Sequence, residues 1–270
     1  MSHPGLDFSF PALRQQPLQV APDTFVIRAA MPSVGGTSTC LNSMLIRAAQ
    51  PVIVDTGMVT NRGTWFEDVF SLVAPEDVRW IFISHNDSDH SGNLVEALER
   101  CPNAKVVTSQ AESFRTAASF GIPFERMLMV GDGEGFDVGD RQLRAVRPPV
   151  YDSPYTRGLF DPSTRIYYAS DAFCAPMPAE PVDRVDEIPA AMWAAGMAQF
   201  HHVSVCPWIA MVDPDRFRAE VEKLAALGIE TIVGAHSPVI SRVDVPRAFE
   251  QFAGLPSAKP AAVSFAGLFG

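Results

Sequence analysis

The segment Ile81-Phe-Ile-Ser-His-Asn-Asp-Ser-Asp-His-Ser-Gly-Asn-Leu94 constrains this chain more than any other. Trp80 to Ile83 is a short apolar run that reads as a buried strand ending in a polar turn. Within the turn His85, Asp87, Asp89 and His90 fall inside six residues, in the pattern H-x-D-x-D-H. From Ser91 onward the chain reads as a helix: Ser91 and Asn93 suit its first turn, and Leu94, Val95 and Leu98 form an apolar stripe. Imidazole and carboxylate both ligate divalent cations, and a strand and a helix would hold such a loop rigid. The competing reading is a polar turn whose aspartates cap the helix and whose histidines are merely solvated. Two residues of each kind at one strand end favour the metal.

Composition narrows the partners. The chain has 270 residues, enough for one large domain or two small ones, and 47% of them are hydrophobic, so a sizeable core can form. A formal net charge of −10 argues against nucleic acid or an anionic membrane surface as partner, since either requires a basic patch. No apolar run reaches the length of a membrane span. Met1 to Gln16 lacks the basic start and apolar stretch of a secretion signal, so the cytoplasm is the expected location. Cys40, Cys101, Cys174 and Cys206 are scattered without a C-x-x-C pair, which argues against a disulfide framework or a structural zinc knuckle, and most of them read as small buried apolar residues.

The motif resembles the metal-binding signature of the metallo-β-lactamase-fold superfamily, commonly H-x-H-x-D-H. Asp87 stands where hydrolytic members carry a second His. An acidic residue there, usually Glu, resembles the diiron domain of flavodiiron and related oxygen-binding diiron proteins. The resemblance extends from about Thr24 to Phe252. It implies an α/β fold, an αββα sandwich in which two similar β-rich halves lie between helices. The expected organisation is an arm over 1–22, one domain over 23–256 and a tail over 257–270.

In order, Thr24 to Arg28 and Leu41 to Arg47 are strand-like, with a Gly/Ser/Thr loop over Pro32 to Thr39 between them. Pro51-Val-Ile-Val-Asp-Thr-Gly57 is a strand ending in Asp55, which is expected to support the His loop rather than to ligate. Arg62 to Val73 has helical spacing, and Ala104 to Ser109 followed by Ala111 to Phe120 reads as strand then helix. Gly131-Asp-Gly-Glu-Gly135 lacks the Lys-Ser/Thr pair and the strand–turn–helix context of a phosphate loop and is expected to be a turn.

Further site residues come from the resemblance. The diiron proteins carry a His ligand in a Pro-rich turn after a strand such as Gln142 to Val146; here the matching residue is Asp152, with Tyr151 beside it. No His lies between His90 and His201, so Asp152 either replaces that ligand, or caps its turn while the site loses a metal. Asp171, in Asp-Ala-Phe at the end of the strand from Arg165, matches the family's bridging Asp, and His236 matches the last ligand. Ala190 to Val205 looks helical; His201 and His202 would point about 100° apart on it, so at most one of them could face the site.

The implied ligand sets are His85, Asp87 and Asp152 for one metal and Asp89, His90 and His236 for the other, bridged by Asp171. Asp89, Tyr151 and His202 are the candidates to act on substrate. An oxygen-rich set leans toward iron, with manganese or zinc as alternatives. The implied function is binding or activation of dioxygen or nitric oxide, or oxidation of a small substrate. A flavin domain following the diiron domain does not fit within this length, so electrons would come from a separate redox partner, or the protein would be a sensor or an oxygenase taking electrons from its substrate. A homodimer is expected by resemblance. Two other readings remain: a hydrolase using a metal-bridging hydroxide, and a binding protein with a degenerate site.

Overall fold

The computed structural model describes residues 12–33 and 36–259. The first sheet orders its strands β1 (Leu13–Ala21), β2 (Thr24–Ser33), β3 (Thr37–Ile46), β4 (Val52–Val54), β5 (Trp80–Phe82), β6 (Lys105–Thr108) and β7 (Met127–Met129). The second contains β8 (Gly135–Asp137), β9 (Gln142–Val146), β10 (Gly158–Asp161), β11 (Ile166–Tyr168) and β13 (Thr231–Val233), while β12 (Met177–Pro178) pairs with β3. Seven helices accompany them among the described residues: α1 (Arg62–Phe70), α2 (Ser88–Ser91), α3 (Leu94–Arg100), α4 (Gln110–Phe120), α5 (Ala190–Phe200), α6 (Pro214–Ala225) and α7 (Val245–Ala253).

Strand periodicity explains the layering. Successive side chains leave a strand on opposite faces, so Val52 and Val54 turn inward to meet Leu143, Leu159 and Val233 of the second sheet. Ile53, between them, turns outward with Ile27 and Ile81 against Trp65, Phe66 and Leu94 of α1 and α3. On the far side Phe160, Tyr167 and Ile232 pack against Trp193, Phe217 and Phe252 of α5, α6 and α7. The result is helix, sheet, sheet, helix: the αββα sandwich of the metallo-β-lactamase type.

Two expectations are corrected. The segment expected to be an arm over 1–22 contributes β1, an edge strand antiparallel to β2; residues 1–11 of it lie outside the described residues. Its proline hides the strand from a periodicity reading. Pro17 falls in a register shift between Gln15 and Leu18, and edge strands and bulges are where a residue without an N–H is tolerated. The loop expected over Pro32 to Thr39 is mostly strand: β2 and β3 pair from Thr24↔Ile46 out to Ser33↔Thr37. Ser and Thr there pack as strand residues on a long hairpin. Of the tail expected over 257–270, residues 260–270 lie outside the described residues. Gly135 opens β8 of a hairpin, as expected of a turn preceding an edge.

β4 through β7 run parallel, as do β11 and β13, so several strands deliver their C-terminal ends to one rim of the sandwich. Val54 pairs with Phe82 and Tyr168 with Val233. His85, Asp171 and His236 each sit three residues beyond the last paired residue of β5, β11 and β13, so equal extensions bring all three to the same rim. Gly92 locks the first of these turns: a Cβ there would meet the carbonyl of Gly57 and the amide of Val59, both at 2.9 Å.

Candidate metal centre

Three histidines meet four aspartates at this rim. Donor atoms of His85, Asp87 and Asp152 lie within 4.8 Å of one another, as do those of Asp89, His90 and His236, and those of His85, His90 and Asp171. Asp171 stands between the first two groups. Its Oδ2 is 3.4 Å from His85 Nε2, while its Oδ1 is 3.1 Å from both His90 Nε2 and His236 Nε2. His85 Nε2 lies 3.7 Å from Asp87 and 3.8 Å from Asp152; His236 Nε2 lies 3.1 Å from Asp89, and His90 Nε2 3.6 Å. Asp89 and His90 occupy the short helix α2, not a bare turn.

Each ring is held by its other nitrogen. His90 Nδ1 donates to Asp55 Oδ2 at 2.7 Å, and His236 Nδ1 donates to the carbonyl of Cys40 at 2.8 Å. His85 Nδ1 faces the hydroxyls of Ser84 (3.2 Å) and Ser170 (3.3 Å). Hydrogens committed to Nδ1 leave every Nε2 as a lone pair aimed into the cluster, the arrangement of a histidine that ligates a metal. Asp55 takes the supporting position expected of it. It accepts from Ser84 N–H, the Ser84 hydroxyl and the Tyr168 hydroxyl as well as from His90, each within 2.8 Å. Its backbone has φ 56°, as Ser170 beside Asp171 has φ 54°, so both turns hold strained conformations that the surrounding hydrogen bonds must maintain.

This donor set fits a pair of cations. His85 Nε2 and Asp171 Oδ1 are buried without a hydrogen-bond partner, because lone pair faces lone pair across the short contacts. With no cation, protons must relieve the clash. Burial pushes the His236 imidazole down, but hydrogen bonds and charge from Asp171 and Asp89 outweigh it and lift the ring to about 10. Burial pushes Asp171 up, yet the charges of His90 and His85 hold it well below the carboxylate range. Asp152 is raised, first by burial and then by the negative charge of Asp171. A cation between the groups neutralises the same electron-rich pocket and favours the deprotonated form of every donor.

The cluster floors a cavity of about 360 Å³ whose walls include Met31, Leu41, Met58, Phe200 and Val205. Two residues expected to act on substrate are not brought there. Tyr151 turns to a separate cavity and packs its ring on Trp208, with centroids 5.6 Å apart. His202 Nε2 binds the carbonyl of Leu255 at 2.8 Å. The helix bearing it ends in a π-helical turn, His201–Val205, which redirects successive side chains away from the spacing of a regular helix. His201 is buried and donates to Met197 O at 2.7 Å. Of the substrate candidates Asp89 alone faces the cavity. Sequence reasoning missed Ser84, Ser170 and Tyr168. Ser84 and Ser170 flank His85 and Asp171 in sequence, which is a usable signal; Tyr168 is marked by none.

Asp55→Asn keeps the shape of the supporting group but removes its charge. Metal affinity is expected to fall about tenfold to a hundredfold, read by competition with a chelator. Unchanged affinity would mean that the Asp55–His90 contact does not orient a ligand.

A family model described as ODP family beta lactamase matches residues 39–237. Putative diflavin flavoprotein A 2 of Nostoc sp. (strain PCC 7120) is 32% identical over 136 residues, 50% of this chain and 23% of that protein, so the match spans about a quarter of that relative. The rubredoxin oxygen:oxidoreductase of Desulfovibrio gigas superposes with a TM-score of 0.79 at 18% identity, over 91% of this chain and 63% of that one. A fragment of putative diflavin flavoprotein A 5 of Nostoc sp. PCC 7120 superposes at 0.76 with 19% identity, over 92% of this chain and 96% of the fragment. At these identities the two structures share the fold.

Proposed function

We propose, since the chain belongs to the ODP family of beta lactamases, that its centre holds two iron ions and serves the reduction of dioxygen or nitric oxide. The observation that carries this reading is the position of Asp171, one carboxylate with an oxygen toward each of two donor groups. His85, Asp87 and Asp152 would hold one ion, and Asp89, His90 and His236 the other. Four carboxylates offset the charge of two divalent cations, and carboxylate oxygen outnumbering imidazole nitrogen suits iron better than zinc. Asp152 lies with the donors of the first group, which weakens the case for a degenerate site.

Two irons bound there would supply electrons to the diatomic substrate. The chain's own residues confine it. Met31, Leu41, Met58 and Phe200 give the cavity an apolar wall that admits a small uncharged molecule and disfavours water. Asp55 and the Cys40 carbonyl fix the rings of His90 and His236. A relative named for oxygen reduction with rubredoxin shares the fold, which supports the same substrate class and an external electron donor here. Among the described residues no helix is long and apolar enough to cross a membrane.

The test is gas consumption by the iron-loaded protein, reduced without air and then mixed with dioxygen or nitric oxide. Consumption above that of the metal-free protein is expected for at least one gas. Neither gas being consumed, with zinc bound and an ester or phosphoester hydrolysed instead, would overturn the proposal in favour of a hydrolase.

A further inference from the structure

The strand-to-strand segment that carries Asp152 has an arginine at each end, Arg147 and Arg157, five residues to either side. Both line a cavity of about 430 Å³ that shares no lining residue with the cavity over the metal centre. Arg157 is only 7% exposed. Its Nη1 donates to the carbonyls of Thr156 (2.8 Å) and Tyr155 (3.4 Å), while its Nε is buried with no partner. Among the described residues neither guanidinium forms an ion pair. Burial, and after it the positive charge of Arg147, push the Arg157 guanidinium below its ordinary value, with the negative charge of Asp132 opposing. A charge withdrawn from water without a carboxylate beside it is costly and calls for a counter-charge.

The start of α4, Ser109 to Ala111, lines the same cavity. Ser109 caps this eleven-residue helix by accepting from Glu112 N–H, and its hydroxyl donates to Tyr155 O at 3.0 Å. The amides of Gln110 and Ala111 belong to the first helical turn and have no intrahelical acceptor. Two guanidinium forks and a helix N-terminus converging on one cavity match the oxygens of a tetrahedral anion.

We infer that this cavity is a second ligand site, which binds a phosphate group between Arg147, Arg157 and the N-terminus of α4. The site is independent of the metals but not remote from them. Arg157 N–H donates to the carbonyl of Ser84 at 3.0 Å, directly before His85. An anion gripped by both arginines would hold the two ends of the Asp152 segment together.

Calorimetric titration of the metal-loaded protein with inorganic phosphate, at constant ionic strength maintained with chloride, tests the inference. One saturable site per chain is expected. Arg147→Ala should weaken it about tenfold or more at unchanged metal content, the loss of a charge-assisted contact. Arg157→Met should do the same; if that variant fails to fold, Arg147→Ala decides alone, because Arg147 is exposed. His236→Ala, depleted of metal, should still bind phosphate. No saturable binding, or binding that survives Arg147→Ala and is lost in His236→Ala, would overturn the inference, the latter by assigning phosphate to the metals. Competition by a nucleoside monophosphate would identify a phosphate ester as the occupant, and its failure to compete the free ion; either result upholds the site.

Discussion

Asp171→Ala should strip the centre of both metals while the sandwich stays folded. The Asp171 carboxylate faces both donor groups: its Oδ2 is 3.4 Å from His85 Nε2, and its Oδ1 is 3.1 Å from the Nε2 atoms of His90 and His236. Removing it leaves each remaining group one carboxylate short and the two cations with no anion between them to offset their repulsion. Metal content measured on the purified variant should drop to background, with the circular dichroism of the wild type. The variant also relieves the lone-pair clash of the metal-free state, so its fold should tolerate the change. One metal retained at full occupancy would mean that Asp171 serves a single ion.

Asp152 divides the two metals. Asp152→Ala should lose about one metal per chain, because it removes the third donor from the group of His85 and Asp87 and leaves the other group intact. Asp152→His should keep two and shift selectivity toward zinc, since imidazole replaces a hard, negatively charged oxygen with a softer nitrogen. A structural role is the alternative. Asp152 Oδ1 also accepts from Ser153 N–H at 2.6 Å, in the manner of a turn cap. Were that its whole function, Asp152→Ala would keep both metals and cost about 1 kcal/mol of stability. Metal content and thermal unfolding, measured on the same preparation, separate the two outcomes.

The parts of this centre that could be read from the sequence are those contained in short contiguous stretches. His85, Asp87, Asp89 and His90 share one turn between a strand and a helix, so local pattern alone brings them together. Asp171 and His236 each follow an apolar strand, but nothing local says that β11 and β13 pair in parallel. Only resemblance to a known family joined them to the first motif. The supporting contacts were harder to see, because they join backbone and side chains far apart in sequence. Cys40 offers its carbonyl to a histidine 196 positions away, and Tyr168 reaches an aspartate 113 positions away. No property of either residue type marks that use.

The misplaced residues have equally local causes. Tyr151 is adjacent to Asp152, yet the segment bends there and the tyrosine lines the other cavity. His202 was expected on a regular helix, and a π-helical turn carries it to the carbonyl of Leu255 instead. The strand β1 was hidden by Pro17, which an edge position accommodates and a central strand would not.

Elemental analysis of the wild-type protein, purified without a metal-chelating column, tests the central claim most directly. Two metal ions per chain are expected from two donor groups sharing Asp171, and iron is expected to predominate over zinc. Protein that carries no more than one metal per chain after iron loading, or two zinc ions that iron cannot replace, would contradict the account.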